Sequence, residues 1–353
     1  MKTQNHVWLL LLFVFTCSFI IPDATATNTS KSSQQNVELE QAKKHFMNGE
    51  FQESIDLLER LMVTKTLPKE SYVEASELLA VAYVSMNHDR KASNIFKRVL
   101  HRDPDFKPSD HWWPHKRLMN CYYKTFQEVE PSPKRSKKGP GIQTIAIMDF
   151  ENNSIDDTAK YENLGGALSK VLISDFGVLS NLKVVERERI QYLIEELELT
   201  EKQVGGKKIV DESMAPRLGK LLGAHSFIFG SFIRIGDNFR IDARIVKTET
   251  GEIFKTASME GDPDKVLELA KKLTLKISKD LELKIKKMDK EKLEDLGKER
   301  VPIEALALFG DAMSNANQEK YEAAYAKLEQ ALTVAPDFKK ARDMLDVIRP
   351  YTL

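Results

Sequence analysis

Cysteine is nearly absent from the 353-residue chain, which holds only Cys17 and Cys121. Removal of an N-terminal leader carrying Cys17 would leave one thiol, which excludes an intramolecular disulfide and leaves the fold to its hydrophobic cores. Net charge is absent as well: Lys plus Arg equals Asp plus Glu at 53 each, so no whole-chain field recruits nucleic acid or an anionic membrane. The longest apolar run, Val7 to Ile21, is 15 positions, short of the ~20 that a spanning helix needs. A phosphate-cradling loop is missing too, because Gly205-Gly206-Lys207-Lys208 lacks the flanking spacing of a P-loop. With 42% hydrophobic and 30% charged residues, the chain can bury two or three small cores.

The amino terminus has the order of a secretory signal. Lys2 precedes the apolar run, Pro22 breaks it, and Ala24-Thr25-Ala26 supplies small residues at the cleavage site. Residues 1–26 are therefore expected to leave, giving an exported, periplasmic chain that begins at Thr27 and has no membrane span. Retention as an anchor is the lesser reading, and so is lipidation at Cys17, since Thr16 is not the usual small residue before a lipidated cysteine. Residues 27–36 are Ser, Thr, Gln and Asn without periodicity and read as a flexible tether.

Helical periodicity begins at Val37. Ala42, Gly49, Phe51, Ser54 and Leu58 have the spacing of Ala80, Asn87, Asp89, Ala92 and Phe96, and Pro104 closes the second set. A third copy lies near the other end, in Ala312, Tyr321, Ala324, Leu328, Ala331 and Pro336, and Pro104-Asp105-Phe106 recurs as Pro336-Asp337-Phe338. Small residues let paired helices approach, and the proline stops the second helix. The pattern resembles the tetratricopeptide repeat over 37–130 and 303–353, with its large aromatic positions only partly filled; an ordinary pair of helical hairpins is the plainer alternative. Residues 131–141 carry Lys134, Arg135, Lys137 and Lys138 among Pro, Ser and Gly, and read as a solvated boundary.

Strand and helix patterns alternate over 142–287. Ile145 to Phe150 is apolar on both faces, as a covered central strand requires. A helix follows on Leu164, Leu168, Val171, Leu172 and Phe176, then a strand at 182–186 and a second helix on Ile190, Leu193, Ile194 and Leu197. A third helix is expected from Ser213, with Pro216 in its first turn and Gly219 and Gly223 permitting close packing on the sheet. Strands at 227–235 and 239–246 form a hairpin whose charged outer face is expected to carry Arg234, Arg240 and Arg244 as a partner-contact surface, although a solvated strand face explains them too. A last strand spans 252–259, and a long helix then runs along Val266, Leu269, Leu273, Ile277, Leu281 and Ile285. Residues 288–302 read as a charged connector. The expected fold class is an α/β central domain, a mixed sheet with packed helices, plus all-α repeat-like hairpins at both ends.

The ordered blocks Ile145-Ala146-Ile147-Met148-Asp149-Phe150, Leu164-Gly165, Val184-Val185-Glu186-Arg187-Glu188, Leu218-Gly219-Lys220-Leu221-Leu222-Gly223-Ala224, Gly230-Ser231 and Thr250-Gly251-Glu252 are similar to the curli assembly and transport (CsgG-like) family. The resemblance implies an envelope protein of a diderm bacterium. It departs where the curli protein inserts two barrel-forming hairpins: the turn near Gly236 is too short to hold one, and Gly261-Asp262-Pro263 leads straight into a helix. The expected function is thus a non-enzymatic adaptor that binds envelope proteins. The competing reading is a ring built from copies of the chain that recruits a channel from elsewhere.

No catalytic, cofactor-binding or metal-binding residue is expected. Asp149 and Glu151 have no nucleophile or base placed beside them. Glu186, Arg187, Glu188 and Arg189 are read as capping the next helix and pairing on its surface. His111 and His115 lack a third ligand, Trp112 and Trp113 read as core, and Cys121 as a buried structural residue. Without stacking aromatics beside the hairpin arginines, nucleic acid is not an expected partner.

Overall fold

Ile145, Ala146 and Ile147 are fully buried because helices cover both faces of the strand they form. The computed structural model describes residues 24–63, 67–104, 106–109, 112, 114–129, 143–155, 158–196, 202–204, 207–209, 212–296 and 299–352. Strand β1 (Gln143–Ile147) lies between β3 (Leu182–Val185) and β6 (Ser226–Ile235) in a six-stranded mixed sheet with β2 (Glu151–Asn152), β7 (Asn238–Lys247) and β8 (Ile253–Gly261). The order is β3-β1-β6-β7-β8, with β2 beside β6; β1 runs parallel to β3 and β6, while β6, β7 and β8 are antiparallel. A separate two-stranded ribbon joins β4 (Lys202–Val204) to β5 (Lys207–Ile209).

The two faces of the sheet belong to different cores. Ile145, Ile147, Ile228, Phe232, Phe239 and Ile241 pack with α6 (Leu164–Gly177), α9 (Val266–Asp280) and the C-terminal helices. Ala146, Met148, Val185, Phe227 and Phe229 pack with α7 (Arg187–Glu196), α8 (Ala215–Leu222) and the N-terminal helices. Close approach at α8 requires Gly219, where a Cβ would lie 1.9 Å from the Thr248 methyl. Gly223 does a different job from the one expected: at φ 67° it is the left-handed cap that ends α8.

The N-terminal region is a stack of α1 (Ala24–Met47), α2 (Phe51–Val63), α3 (Lys69–Ser85), α4 (Asp89–Arg102) and α5 (Lys116–Val129), each packed on the next. The C-terminal region is α10 (Lys287–Leu296), α11 (Ile303–Asn317), α12 (Tyr321–Val334) and α13 (Lys339–Ile348). The aligned hairpins share one turn. Gly49, Asn87 and Glu319 are all left-handed, with φ of 75°, 62° and 58°. In each case the next amide donates back to a helix carbonyl: Glu50 to His45 at 2.9 Å, His88 to Tyr83 at 2.7 Å, Lys320 to Asn315 at 2.9 Å. The second helices also end alike, the amide of Phe106 donating to Asp103 and that of Phe338 to Ala335. Ala42, Ala80, Ala92, Ala312, Ala324 and Ala331 are wholly buried between helices. Gly49, Pro104 and Pro336 act in the turns and not in the packing, both prolines being exposed.

The two helical regions touch. Tyr351, in the 3₁₀ turn after α13, lies 5.6 Å from the Phe51 ring, 5.0 Å from Tyr321 and 4.3 Å from His115, ring centre to ring centre. Phe46 and Trp112 complete this cluster.

Three expected segments differ. The tether at 27–36 is part of α1, because Ser, Thr, Asn and Gln lower helix propensity by under ~1 kcal/mol each and the amphipathic part downstream carries the helix back. The connector at 288–302 contains α10, anchored by wholly buried Leu293 and by Asp289, which accepts from Ser180 Oγ at 3.2 Å. The helix expected to reach Ile285 stops at Asp280: Glu282 turns left-handed at φ 55° and the Leu283 amide donates to Ser278. Ala24 and Ala26 open α1, so the expected cut falls in its first turn; residues 1–23, and the basic boundary at 131–141, lie outside the described residues. Among the described residues no helix is long and apolar enough to cross a membrane.

Candidate functional site

Open α/β sheets take ligands at the carboxyl ends of parallel strands, where the strand order reverses. Here that place lies beside β1, since the chain moves to β3 through α6 and then crosses to β6 on the other side. It is filled by the protein itself. The Phe150 ring occupies the space a Cβ on Gly230 would take, at 2.1 Å, and the Phe150 carbonyl oxygen sits 1.8 Å from the corresponding position on Gly165. Asp149, next to it, accepts from Arg187 Nε and Nη2 at 2.7 Å each and from Ser169 Oγ at 2.8 Å.

The expectation that Arg187 pairs on a helix surface is therefore corrected. Its side chain is buried at the junction of α6 and α7. Burial pulls the guanidinium down, but the charge and hydrogen bonds of Asp149 prevail and hold it above its ordinary range. Glu188 is likewise buried and pairs with Lys170 at 3.4 Å. The alternation of Glu and Arg in sequence conceals this, because only the fold brings α6 over the start of α7.

A cavity of ≈590 Å³ opens beside the edge strand β3, between α6 and the C-terminal helices α11 and α13. Ile173, Leu182, Val184, Phe309 and Met344 give it apolar walls. Lys170, Lys340 and Ser174 bring donors, and Glu186, Glu188 and Asp343 bring carboxylates. Lys340 Nζ donates to Ser174 Oγ at 2.9 Å, a bond spanning 166 positions of sequence. Burial lowers the Lys340 ammonium, against the charges of Asp175 and Glu299. Behind this wall Asp175 is 6% exposed, and burial pushes its carboxyl up to about 7 although Lys340 and Lys271 oppose the shift. Sequence reading missed this cavity, since none of its residues forms a local motif.

The arginines expected on one face of the hairpin are divided. Only Gly236 and Asp237 lie in the turn, so Ile235 pairs with Asn238 and Arg234 pairs with Phe239. Arg234 therefore points to the Phe239 side, where its guanidinium stands 5.1 Å from the Tyr161 ring. Arg240 and Arg244 share the opposite face and are held by the chain's own acids, Asp242 at 2.9 Å and Glu212 at 2.8 Å. Another basic surface is gathered on α4, where Asn94, Lys97, Arg98, His101 and Arg102 line a shallow groove.

Among the described residues no cluster of three or more His, Cys, Asp or Glu could hold a metal ion. His115 packs against Tyr321 and Tyr351, while His111 and Trp113 fall outside the described residues. Trp112 is core, as expected. Burial raises the half-buried Cys121 thiol to about 11, which keeps it protonated and unreactive at neutral pH.

Residues 130–240 match the family model of the curli production assembly/transport component CsgG. That match starts just before the basic boundary and ends in β7, short of β8 and α9, and covers less than half of the chain. No curated protein matches. Among solved structures, the LpoB C-terminal domain from Escherichia coli is similar at 11% identity over 44% of this chain and 99% of that one, with a TM-score of 0.29. Lipoprotein GNA1162 from Neisseria meningitidis is similar at 12% identity over 34% and 79%, with a TM-score of 0.25. A tetratricopeptide repeat protein from Parabacteroides merdae is similar at 11% identity over 90% and 99%, with a TM-score of 0.22. Scores this low add nothing to the fold read from the chain itself. What the comparisons give is a CsgG-like segment at residues 130–240, set in a mixed sheet between two helical regions.

Proposed function

We propose that this chain is a non-enzymatic adaptor of the bacterial envelope, exported by its leader, that holds a protein partner on its N-terminal helical stack. The CsgG-like segment supports the envelope setting. The shared turn of the aligned hairpins supports a tetratricopeptide-like reading of the helical regions, a scaffold that works by presenting surfaces. The adaptor reading is also favoured by the way Phe150 and the Asp149–Arg187 pair fill the place where an α/β domain would bind a substrate.

The observation that carries the proposal is the outer face of α4. Arg98, His101 and Arg102 are exposed there around one groove, a surface suited to an acidic segment of a protein partner. Arg240 and Arg244 are the weaker candidates, since acids of the chain already meet their charges, and Arg234 is turned toward the Tyr161 ring on the other face.

A photo-crosslinking residue in place of Asn94, on the same face of α4, in cells carrying the full chain, tests this. The expected result is a discrete adduct with an envelope protein that is lost in an R98E/R102E variant and kept in R240E. Adducts indifferent to the α4 charges would overturn the assignment of the face. Native mass measurement separates the adaptor from the competing reading, because a defined ring of many subunits contradicts it.

A further inference from the structure

Lys340 is an ammonium with unused capacity. It has three donors, and its only hydrogen bond among the described residues goes to Ser174 Oγ. No ion pair among the described residues uses it, although the residue is only partly exposed. Asp175, Glu299 and Asp343 act on it only through space. Three of the other cavity charges are paired, Glu188 with Lys170 and Glu186 with Lys107, while Asp343 acts on Lys340 from beyond ion-pair distance. An ammonium that is partly withdrawn from water, with its nearest carboxylates beyond ion-pair distance, keeps donors to offer an incoming anion.

The surrounding wall says what kind of anion. Ile173, Leu182, Val184, Phe309 and Met344 offer an apolar bed, and ≈590 Å³ lies within the ~300–1,000 Å³ of small-ligand sites. Glu186, Glu188 and Asp343 share the lining and repel a second negative charge, which disfavours phosphate and favours a monoanion. We propose that the cavity between α6, β3 and α13 binds a carboxylate carried on an apolar body, with Lys340 and Ser174 holding the charge and the apolar wall holding the body. This inference is independent of the α4 surface, so either can fail alone. Because the site joins the central domain to α13, occupancy also braces the C-terminal hairpin against α6.

Calorimetry on the full chain with octanoate tests the site, beside octanol and octylamine as probes of equal length. The expected result is saturable one-site binding of octanoate, at least about tenfold tighter than either neutral or cationic probe, and at least about tenfold weaker in K340M. S174A is expected to lose a few-fold. If K340M does not fold, I173W fills the cavity from its partly exposed wall and is expected to abolish binding. A second arm offers a short peptide ending in leucine as the free acid and as the amide, which tells whether the carboxylate comes on a free chain or a peptide end. Octanol binding as tightly as octanoate, octanoate binding unchanged in folded K340M or I173W, or no binding of either acid overturns the proposal.

Discussion

At the C-terminal hairpin, backbone meets backbone: a Cβ on Gly310 of α11 would lie 2.4 Å from the Asn163 carbonyl oxygen at the start of α6. Asp311 accepts from Asn163 and pairs with Lys327, and Leu306, Phe309 and Met313 share one core with α6. At the N-terminal stack the junction with the central domain is made by side chains. Tyr123 faces Tyr192 at 5.9 Å, Arg189 lies over the Phe126 ring at 5.5 Å, and Lys116 reaches Glu195 at 2.8 Å. The same hairpin turn thus serves two ends. One copy meets the central domain backbone to backbone, whereas the others join it through side chains, in a core shared with α7 and α8 and in rings and charges at its rim, and are tied back through Tyr351. A shared local motif does not fix how a region is used; what it packs against does.

The strongest way to break this arrangement is to remove the charge that sits between its halves. D149A leaves the Arg187 guanidinium buried and unmatched, and is expected to cost about 3–5 kcal/mol, read as a lowered midpoint of the central-domain transition in urea. The N-terminal helical signal should survive to higher denaturant.

Next is the buried acid behind the cavity. Asp175 is held at about 7 against 3.8 for a free side chain, so the native state keeps a proton there that the unfolded chain releases. Its contribution is full below pH ~4 and is lost as pH rises through about 7, an effect of at most about 4 kcal/mol. D175N, which cannot ionise, should therefore gain stability relative to wild type between pH 5 and pH 8, and parallel pH profiles would contradict the burial.

G310A should cost about 1–3 kcal/mol by forcing α11 off α6, with the loss confined to the central and C-terminal transition. Y351L should cost about 1 kcal/mol through lost ring contacts, and should separate the unfolding midpoints of the two helical regions. R240A, which removes an exposed pair within one strand, should leave the melting temperature unchanged.

Much of this was legible in the sequence for physical reasons. The covered strand at Ile145, the alanines between helices, and the glycine and proline of the turns each answer to a rule of local geometry. One failure has a local cause. Strands expected to end at 235 and resume at 239 leave three residues between them and put Arg234 on the charged face, whereas the two-residue turn reverses the parity of β6. Ile235, at 57% exposure, shows which way the strand faces. The burial of Arg187, the helix α10 and the Lys340 cavity were hidden because each depends on residues far away in the chain. Asp149 lies 38 positions from Arg187, and Asp289 lies 109 from Ser180.

The most direct test of the central claim is native-state hydrogen exchange on the purified chain. Amides of α11 and α12 should open with those of α6 and β6 at one common free energy, while α2, α3 and α4 open separately and earlier. Exchange of α11 and α12 ahead of the sheet, in step with the N-terminal helices, would contradict it.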